Sequence, residues 1–190
     1  MKRGLEKFYD LVDAFASLPT IGKKSALRLA YHIVMNDNYS GMKISHSIEN
    51  ALNSIQRCVK CGSMSEHEIC EVCLDETRQR EKMCIVQSAK DIFIIEDSKQ
   101  FDGLYFVIEE LDPDSIDRLL AFVKENQIKE ALFAITPSLS NDAFILYIED
   151  KLKDQNIVFT KIAQGVPTGV SLENVDILSL AKAIQSKVDI

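Results

Sequence analysis

No stretch of this 190-residue sequence is apolar for long enough to cross a bilayer, and none reads as a signal peptide. The first residues, Met1 to Lys7, turn amphipathic at once. Internal repeats and low-complexity tracts are also missing. These absences exclude membrane-spanning, secreted and repeat-array readings. A surplus of positive charge is missing too: the net charge is −7, which argues against nucleic-acid binding by bulk charge. The deficit is uneven, because residues 1–60 carry nine Lys/Arg against five Asp/Glu, and the remainder 13 against 24. A polyanion should meet the first third and be repelled by the rest. What is left, 46% hydrophobic and 27% charged, is an ordinary globular composition with room for one large domain or two small ones.

Four of the five cysteines sit in one short stretch. Cys58, Cys61, Cys70 and Cys73 form two C-x-x-C turns separated by eight residues. Each such turn aims two sulfurs at one point, and two of them close a tetrahedral shell around Zn²⁺. Spacing this tight suits a single metal better than two disulfides, and free thiols in a zinc pattern indicate a reducing cytosol. Four thiolates leave no open position, so the expectation is one structural zinc per chain with no chemistry of its own. Gly62 stands where the turn calls for positive φ. The fifth cysteine, Cys84, lies among Met83, Ile85 and Val86 and reads as a small buried hydrophobe. His67 falls inside the zinc loop but is not needed as a ligand, and His32 and His46 read as helix surface or core rim.

Upstream of the cysteines the pattern is helical. Leu5, Phe8, Val12 and Phe15 define a helix over 4–17, and Ala26, Leu27, Ala30, Ile33 and Val34 a second one reaching about Met35. Between them runs Leu18-Pro19-Thr20-Ile21-Gly22-Lys23-Lys24-Ser25, a tight turn that makes the pair a helix-hairpin-helix. In such a hairpin, backbone N–H groups at the turn and at the second helix's N-terminus face a DNA phosphate, whatever the sequence. Lys23, Lys24 and Arg28 lie on or next to that helix start as candidate DNA-binding residues. A phosphate-cradling P-loop is excluded, since Ser17 replaces its first glycine and Lys24 its Ser/Thr. Thr20 occupies a position where hairpins of this kind commonly have glycine. Residues 36–43 read as a loop by composition, followed by a third helix carrying Ile44, Ile48, Ala51, Leu52 and Ile55.

From about residue 80 strands and helices alternate. Strands are expected at Met83–Gln87, Leu104–Ile108, Ala131–Ile135 and Ile157–Ile162. Helices are expected after Asp112-Pro113-Asp114 and over Asp142–Leu152, while Asp91–Asp97 is open between strand and helix. Short links between such elements predict a largely parallel α/β sheet. A Gly/Pro loop over Gly165–Val170 precedes a final helix with Ile177, Leu180, Ala181, Ile184 and Val188 on its apolar face.

Three motifs in this order resemble the RecR family of bacterial recombination mediators: Leu18–His32, the four cysteines, and Gly103–Val107 with the later Gly165, Pro167, Gly169, Leu172, Glu173 and Asp176. The resemblance covers nearly the whole chain. It implies an α+β multi-module protein: a helix-hairpin-helix DNA-binding region over 1–56, a C4 zinc finger over 57–79, an α/β Toprim domain with a largely parallel sheet over 80–164, and a C-terminal loop and subunit-contact helix over 165–190. Within it Asp91–Asp97 becomes helix. Lys24 and Arg28 match the family's DNA-contacting basic residues, and the four cysteines its zinc ligands. The resemblance further implies a non-enzymatic ring or clamp on DNA, a homotetramer in the bacterial cytoplasm and nucleoid. There it acts with RecO, and RecF where present, to help load RecA on SSB-coated gapped DNA.

The competing reading is a metal-dependent Toprim nuclease or topoisomerase-like enzyme. That chemistry needs converging carboxylates for Mg²⁺. Gln87 stands near the place of the glutamate, and Thr136–Asp142 leaves Asp142 almost alone, with Asp91, Glu96 and Asp97 as remaining acids. None of Tyr9, Tyr31, Tyr39, Tyr105 and Tyr147 lies in a nucleophile motif. The segment after Val107 is also shorter than in most relatives.

Overall fold

A computed structural model describes residues 4–163 and 165–186. The chain divides into two compact units, Met1–Ile55 and Gln56–Ile190.

The first unit is helical. Helix α1 (Glu6–Ala16) and helix α2 (Lys23–Tyr31) pack through Val12, Ala26 and Ala30, with Phe8, Leu11, Phe15 and Ile21 around them. Ala26 and Ala30 are fully buried, so small side chains set how closely the two helices approach. The second helix continues past Tyr31 as a π-helical turn, His32–Asn36, closed by Asp37 N–H donating to His32 O at 2.9 Å.

The expected loop over 36–43 is instead the start of helix α3 (Asn38–Ser54). Its polar residues serve the helix rather than break it. Asp37 is the N-cap and accepts from Ser40 N–H at 2.9 Å, and the Asn38 side chain donates to Val34 O at 2.9 Å. Gly41 marks close packing, not a turn: a Cβ there would stand 2.3 Å from Ile33 Cγ2. Helix α3 exposes Ile44, Ile48 and Leu52.

The second unit opens with an antiparallel pair, β1 (Gln56–Arg57) and β2 (Met64–Ser65), then the short helix α4 (Glu71–Leu74). Strand β3 (Gln79–Val86) follows, then α5 (Ala89–Ser98), β4 (Gly103–Val107), α6 (Pro113–Asn126), β5 (Glu130–Phe133), α7 (Leu139–Leu152) and β6 (Val158–Lys161). The strands form one sheet in the order β4-β3-β5-β6, and all its pairings are parallel. Ile85 pairs with Phe106 on one side and Phe133 on the other. Alternation along the strands sorts side chains by face: Met83, Ile85, Leu104 and Phe106 join one apolar cluster, Cys84, Val86, Tyr105 and Val107 another beside α5. Cys84 is fully buried, as its neighbours implied.

Asp91–Asp97 lies inside helix α5. Two helix starts follow from capping: Asp112 accepts from Ser115 N–H ahead of Pro113, and Ser138 accepts from Asn141 N–H, which moves α7 three residues ahead of Asp142. The terminal helix α8 (Ile177–Gln185) buries none of its residues, and Val188 of its expected apolar face lies outside the described residues. Among the described residues no helix is long and apolar enough to cross a membrane.

Candidate zinc centre and nucleic-acid interface

The cysteine turns fold as their spacing demands. Cys58 N–H donates to Ser63 O at 2.7 Å and Gly62 N–H to Cys58 O at 2.9 Å, closing the first turn with Gly62 at φ +77°. The second turn is the start of α4, which brings Cys70 and Cys73 to the same point. The four sulfurs lie within 4.8 Å of one another, with Cys61–Cys70 at 3.5 Å and Cys58–Cys73 at 4.0 Å. A tetrahedron of thiolates around Zn²⁺ has edges of about 3.8 Å, so the residues fit the metal. None of the four is in a disulfide, and all are buried. Backbone donors point at the sulfurs, from Cys70 N–H to Cys58 Sγ at 3.3 Å and from Ser63 N–H to Cys61 Sγ at 3.5 Å. Such donors favour thiolate. One zinc ion belongs here. His67 is exposed and stands outside the shell.

The zinc module is built into the sheet's core. Its cysteines share an apolar cluster with Met83, Ile85, Leu104 and Phe106. Val107 N–H donates to Cys61 O at 2.8 Å, which covers the outer side of edge strand β4. Gly62 is needed for closeness as well as for its φ: a Cβ would meet Val107 Cβ at 3.3 Å and Arg118 Nη2 at 3.2 Å. Two ion pairs fasten the periphery, Arg57 with Glu109 at 2.7 Å and Lys60 with Glu125. The cysteine spacing carries no signal for this attachment.

The hairpin turn has a defined type. Ile21 N–H donates to Leu18 O at 3.2 Å, Pro19 holds the second position, and Thr20 the third at φ +69°. That is the signature of a type II turn, whose third residue must have positive φ. Gly22 then caps α2 in extended conformation with no side-chain bond. Ala26 N–H is the first in the helix to find an acceptor within it, Gly22 O at 3.0 Å. The N–H groups of Lys23, Lys24 and Ser25 precede it, and the first turn has no acidic residue. Lys23, Lys24 and Arg28 are exposed and have no ion-pair partner among the described residues. Lys24 and Arg28 are one turn apart on one face. Free donors, a positive helix end and unpaired cations together make an anion-accepting surface.

The carboxyl end of the sheet is arranged differently. Gln87 Nε2 donates to Asn141 Oδ1 at 3.0 Å, and Asn141 Nδ2 to Thr136 O at 2.7 Å. Asp142 faces Lys161 at 3.6 Å. Glu96, another of the candidate acids, accepts from Tyr105 Oη at 2.5 Å and pairs with Arg78, which also donates to Gly103 O at 2.8 Å. Burial pushes the Glu96 carboxyl up, but the bonds from Arg78 and Tyr105 hold it below the ordinary value. Burial first, and then Glu96, pushes the Tyr105 phenol well up. Sequence pattern gave no hint of this Arg78–Glu96–Tyr105 cluster, since its members are 18 and 9 residues apart.

Two family models match the chain: RecR, helix-hairpin-helix, over residues 8–52, and the RecR zinc finger domain of four-cysteine type over residues 55–75. The chain is 51% identical over 190 residues to the recombination protein RecR of Campylobacter jejuni subsp. doylei, covering all of both chains. It is 53% identical to the recombination protein RecR of a Nitratiruptor species, again over both full lengths. With that of Helicobacter pylori it shares 48% identity over 98% of this chain and 97% of the relative. The helical hairpin, the four-sulfur centre and identity along the full length therefore converge: the chain belongs to the RecR family of recombination proteins.

Proposed function

We propose that this protein is a non-enzymatic DNA clamp of recombinational repair, holding gapped DNA through its helical hairpins while partner proteins act there. The single observation that carries this reading is the open N-terminus of α2, where Lys23, Lys24 and Arg28 are exposed and, among the described residues, without ion-pair partners, beside three backbone donors that find no acceptor there. Backbone donors and point charges recognise phosphate in any sequence, as a repair protein requires.

In this reading residues 1–56 bind DNA, 57–79 form the zinc finger, 80–164 the Toprim domain, and 165–190 join subunits. The exposure of Ile177, Leu178 and Ile184 supports a subunit-contact role for α8. Several hairpins in one tetramer raise effective concentration at the strand, which compensates for the weak grip of a single one. The protein then acts with a RecO-like mediator, and RecF where present, to help load RecA on SSB-coated gaps. The amide pair Gln87–Asn141 speaks against an enzyme, because neutral carboxamides replace the anionic oxygens that Mg²⁺ requires.

Size exclusion coupled to light scattering, with and without gapped DNA, tests the clamp. A tetramer that retains gapped DNA is expected. A monomer that elutes apart from the DNA would overturn the proposal.

A further inference from the structure

The four cysteines stand in a geometry that allows a second bonding state. Two sulfur pairs meet across the turns, Cys61 with Cys70 at 3.5 Å and Cys58 with Cys73 at 4.0 Å. The first pair is only about 1.5 Å beyond the length of a disulfide bond. Its two members differ in access: Cys61 is 1% exposed and Cys70 5%, so an oxidant arriving from solvent meets Cys70 first. Cys84 offers no competing thiol, because it packs in the apolar cluster on the other face of the sheet.

The frame around the sulfurs is held by backbone. Cys58 N–H donates to Ser63 O, Val59 N–H to Glu68 O at 3.0 Å, and Leu74 N–H to Cys70 O at 3.1 Å. None of these bonds uses a sulfur. A covalent link between the two turns therefore leaves Cys61 O where it accepts from Val107 N–H.

We propose that the cysteine centre is a redox switch, in which a hydroperoxide joins Cys61 and Cys70 in a disulfide, the metal is released, and the cross-linked module stays folded against β4. The Cys70 thiolate attacks one oxygen of hydrogen peroxide; the O–O bond breaks, hydroxide leaves, and Cys70 becomes a sulfenic acid. The Cys61 thiolate then attacks the Cys70 sulfur and expels a second hydroxide, closing the S–S bond. Two electrons pass from the sulfurs to the peroxide, and the two hydroxides take protons from solvent to become water. Cys58 and Cys73 then remain as half of the shell that holds the ion. In a reducing cytosol the disulfide lasts only while oxidant is present, and a dithiol with zinc restores the four-sulfur centre. The switch is independent of the DNA clamp proposed above.

The test treats the zinc-loaded full chain with hydrogen peroxide. Zinc release is followed with a metallochromic indicator, disulfide pairing by differential alkylation and peptide mass spectrometry, and the Val107 amide by hydrogen exchange. One zinc released for each Cys61–Cys70 disulfide is expected, reversed by dithiothreitol and added zinc. Val107 should exchange about tenfold more slowly in the oxidised protein than in reduced protein stripped by a chelator, because only the cross-link still fixes Cys61 O. No cysteine is replaced, so the result does not depend on a variant that fails to fold. Zinc retained under peroxide, a disulfide within either turn (Cys58–Cys61 or Cys70–Cys73), or oxidation past the disulfide to sulfinic acid would each overturn the switch. So would Val107 exchange as fast as in the chelated protein.

Discussion

Gln87, at the end of the central strand β3, donates its side-chain amide to Asn141 in the first turn of α7 at 3.0 Å. The bond spans the carboxyl ends of β3 and β5, where an open parallel sheet ordinarily receives its ligand. Gln87 satisfies the Asn141 amide oxygen, and the Asn141 amide donates in turn to Thr136 O. Among the described residues the only group of three or more His, Cys, Asp or Glu side chains that could hold a metal ion is the four cysteines. Mg²⁺ at millimolar concentration should therefore leave the thermal midpoint unchanged and support no nicking of supercoiled plasmid. Mg²⁺-dependent nicking abolished by Asp142→Asn would contradict this.

Thr20 at φ +69° carries a conformational cost of about 1–2 kcal/mol that glycine does not. Thr20→Gly should therefore stabilise the hairpin unit by about 1 kcal/mol, allowing for the added freedom glycine gives the unfolded chain. Urea unfolding followed by helical circular dichroism reads this as a higher midpoint. A lower midpoint would mean that the threonine side chain supports the turn.

Zinc removal should loosen the sheet's edge before it affects the helices. Val107 N–H relies on Cys61 O for its bond at 2.8 Å, so its hydrogen exchange should accelerate once a chelator has stripped the metal. Amides of α1 and α2 should keep their protection. Alkylation supplies a second reading: Cys58, Cys61, Cys70 and Cys73 become reactive on chelation, while Cys84, its thiol pushed up to about 12 by burial, stays inert until unfolding. Unchanged protection at Val107 would disprove the coupling.

Acid should weaken the α/β unit through Glu96. Burial pushes its folded pKa up, but bonds from Arg78 and Tyr105 hold it below the ordinary 4.5. The folded carboxyl thus binds fewer protons than the unfolded one. Its contribution is complete above the unfolded value and is lost as pH falls through the folded one. With its side chain 33% exposed, the effect is on the order of 1 kcal/mol or less. Glu96→Gln should flatten the acid limb of stability below about pH 4.5 relative to the parent. Parallel acid limbs for the two proteins would refute it.

Much of this was legible in the residues, for physical reasons that differ by element. The zinc centre was readable because four ligands on two tight turns need no tertiary information, and the hairpin because Leu18-Pro19 with Gly22 fixes a turn locally. The start of α3 was not, since Asn38, Ser40 and Gly41 suit loops and caps equally, and only the contact with Ile33 reveals why glycine is there. The bonding of Gln87 to Asn141, and of Arg78 to Glu96 and Tyr105, depends on parallel strand register, which composition does not encode.

Phosphate binding at the N-terminus of α2 is measured most directly by the slope of log affinity against log salt for the Lys24→Ala/Arg28→Ala double variant. Each lost phosphate contact on single-stranded DNA reduces the slope's magnitude by about 0.7. A slope shallower than the parent's by about 1.4, with weaker binding at low salt, is the expected result. An unchanged slope and affinity would contradict it.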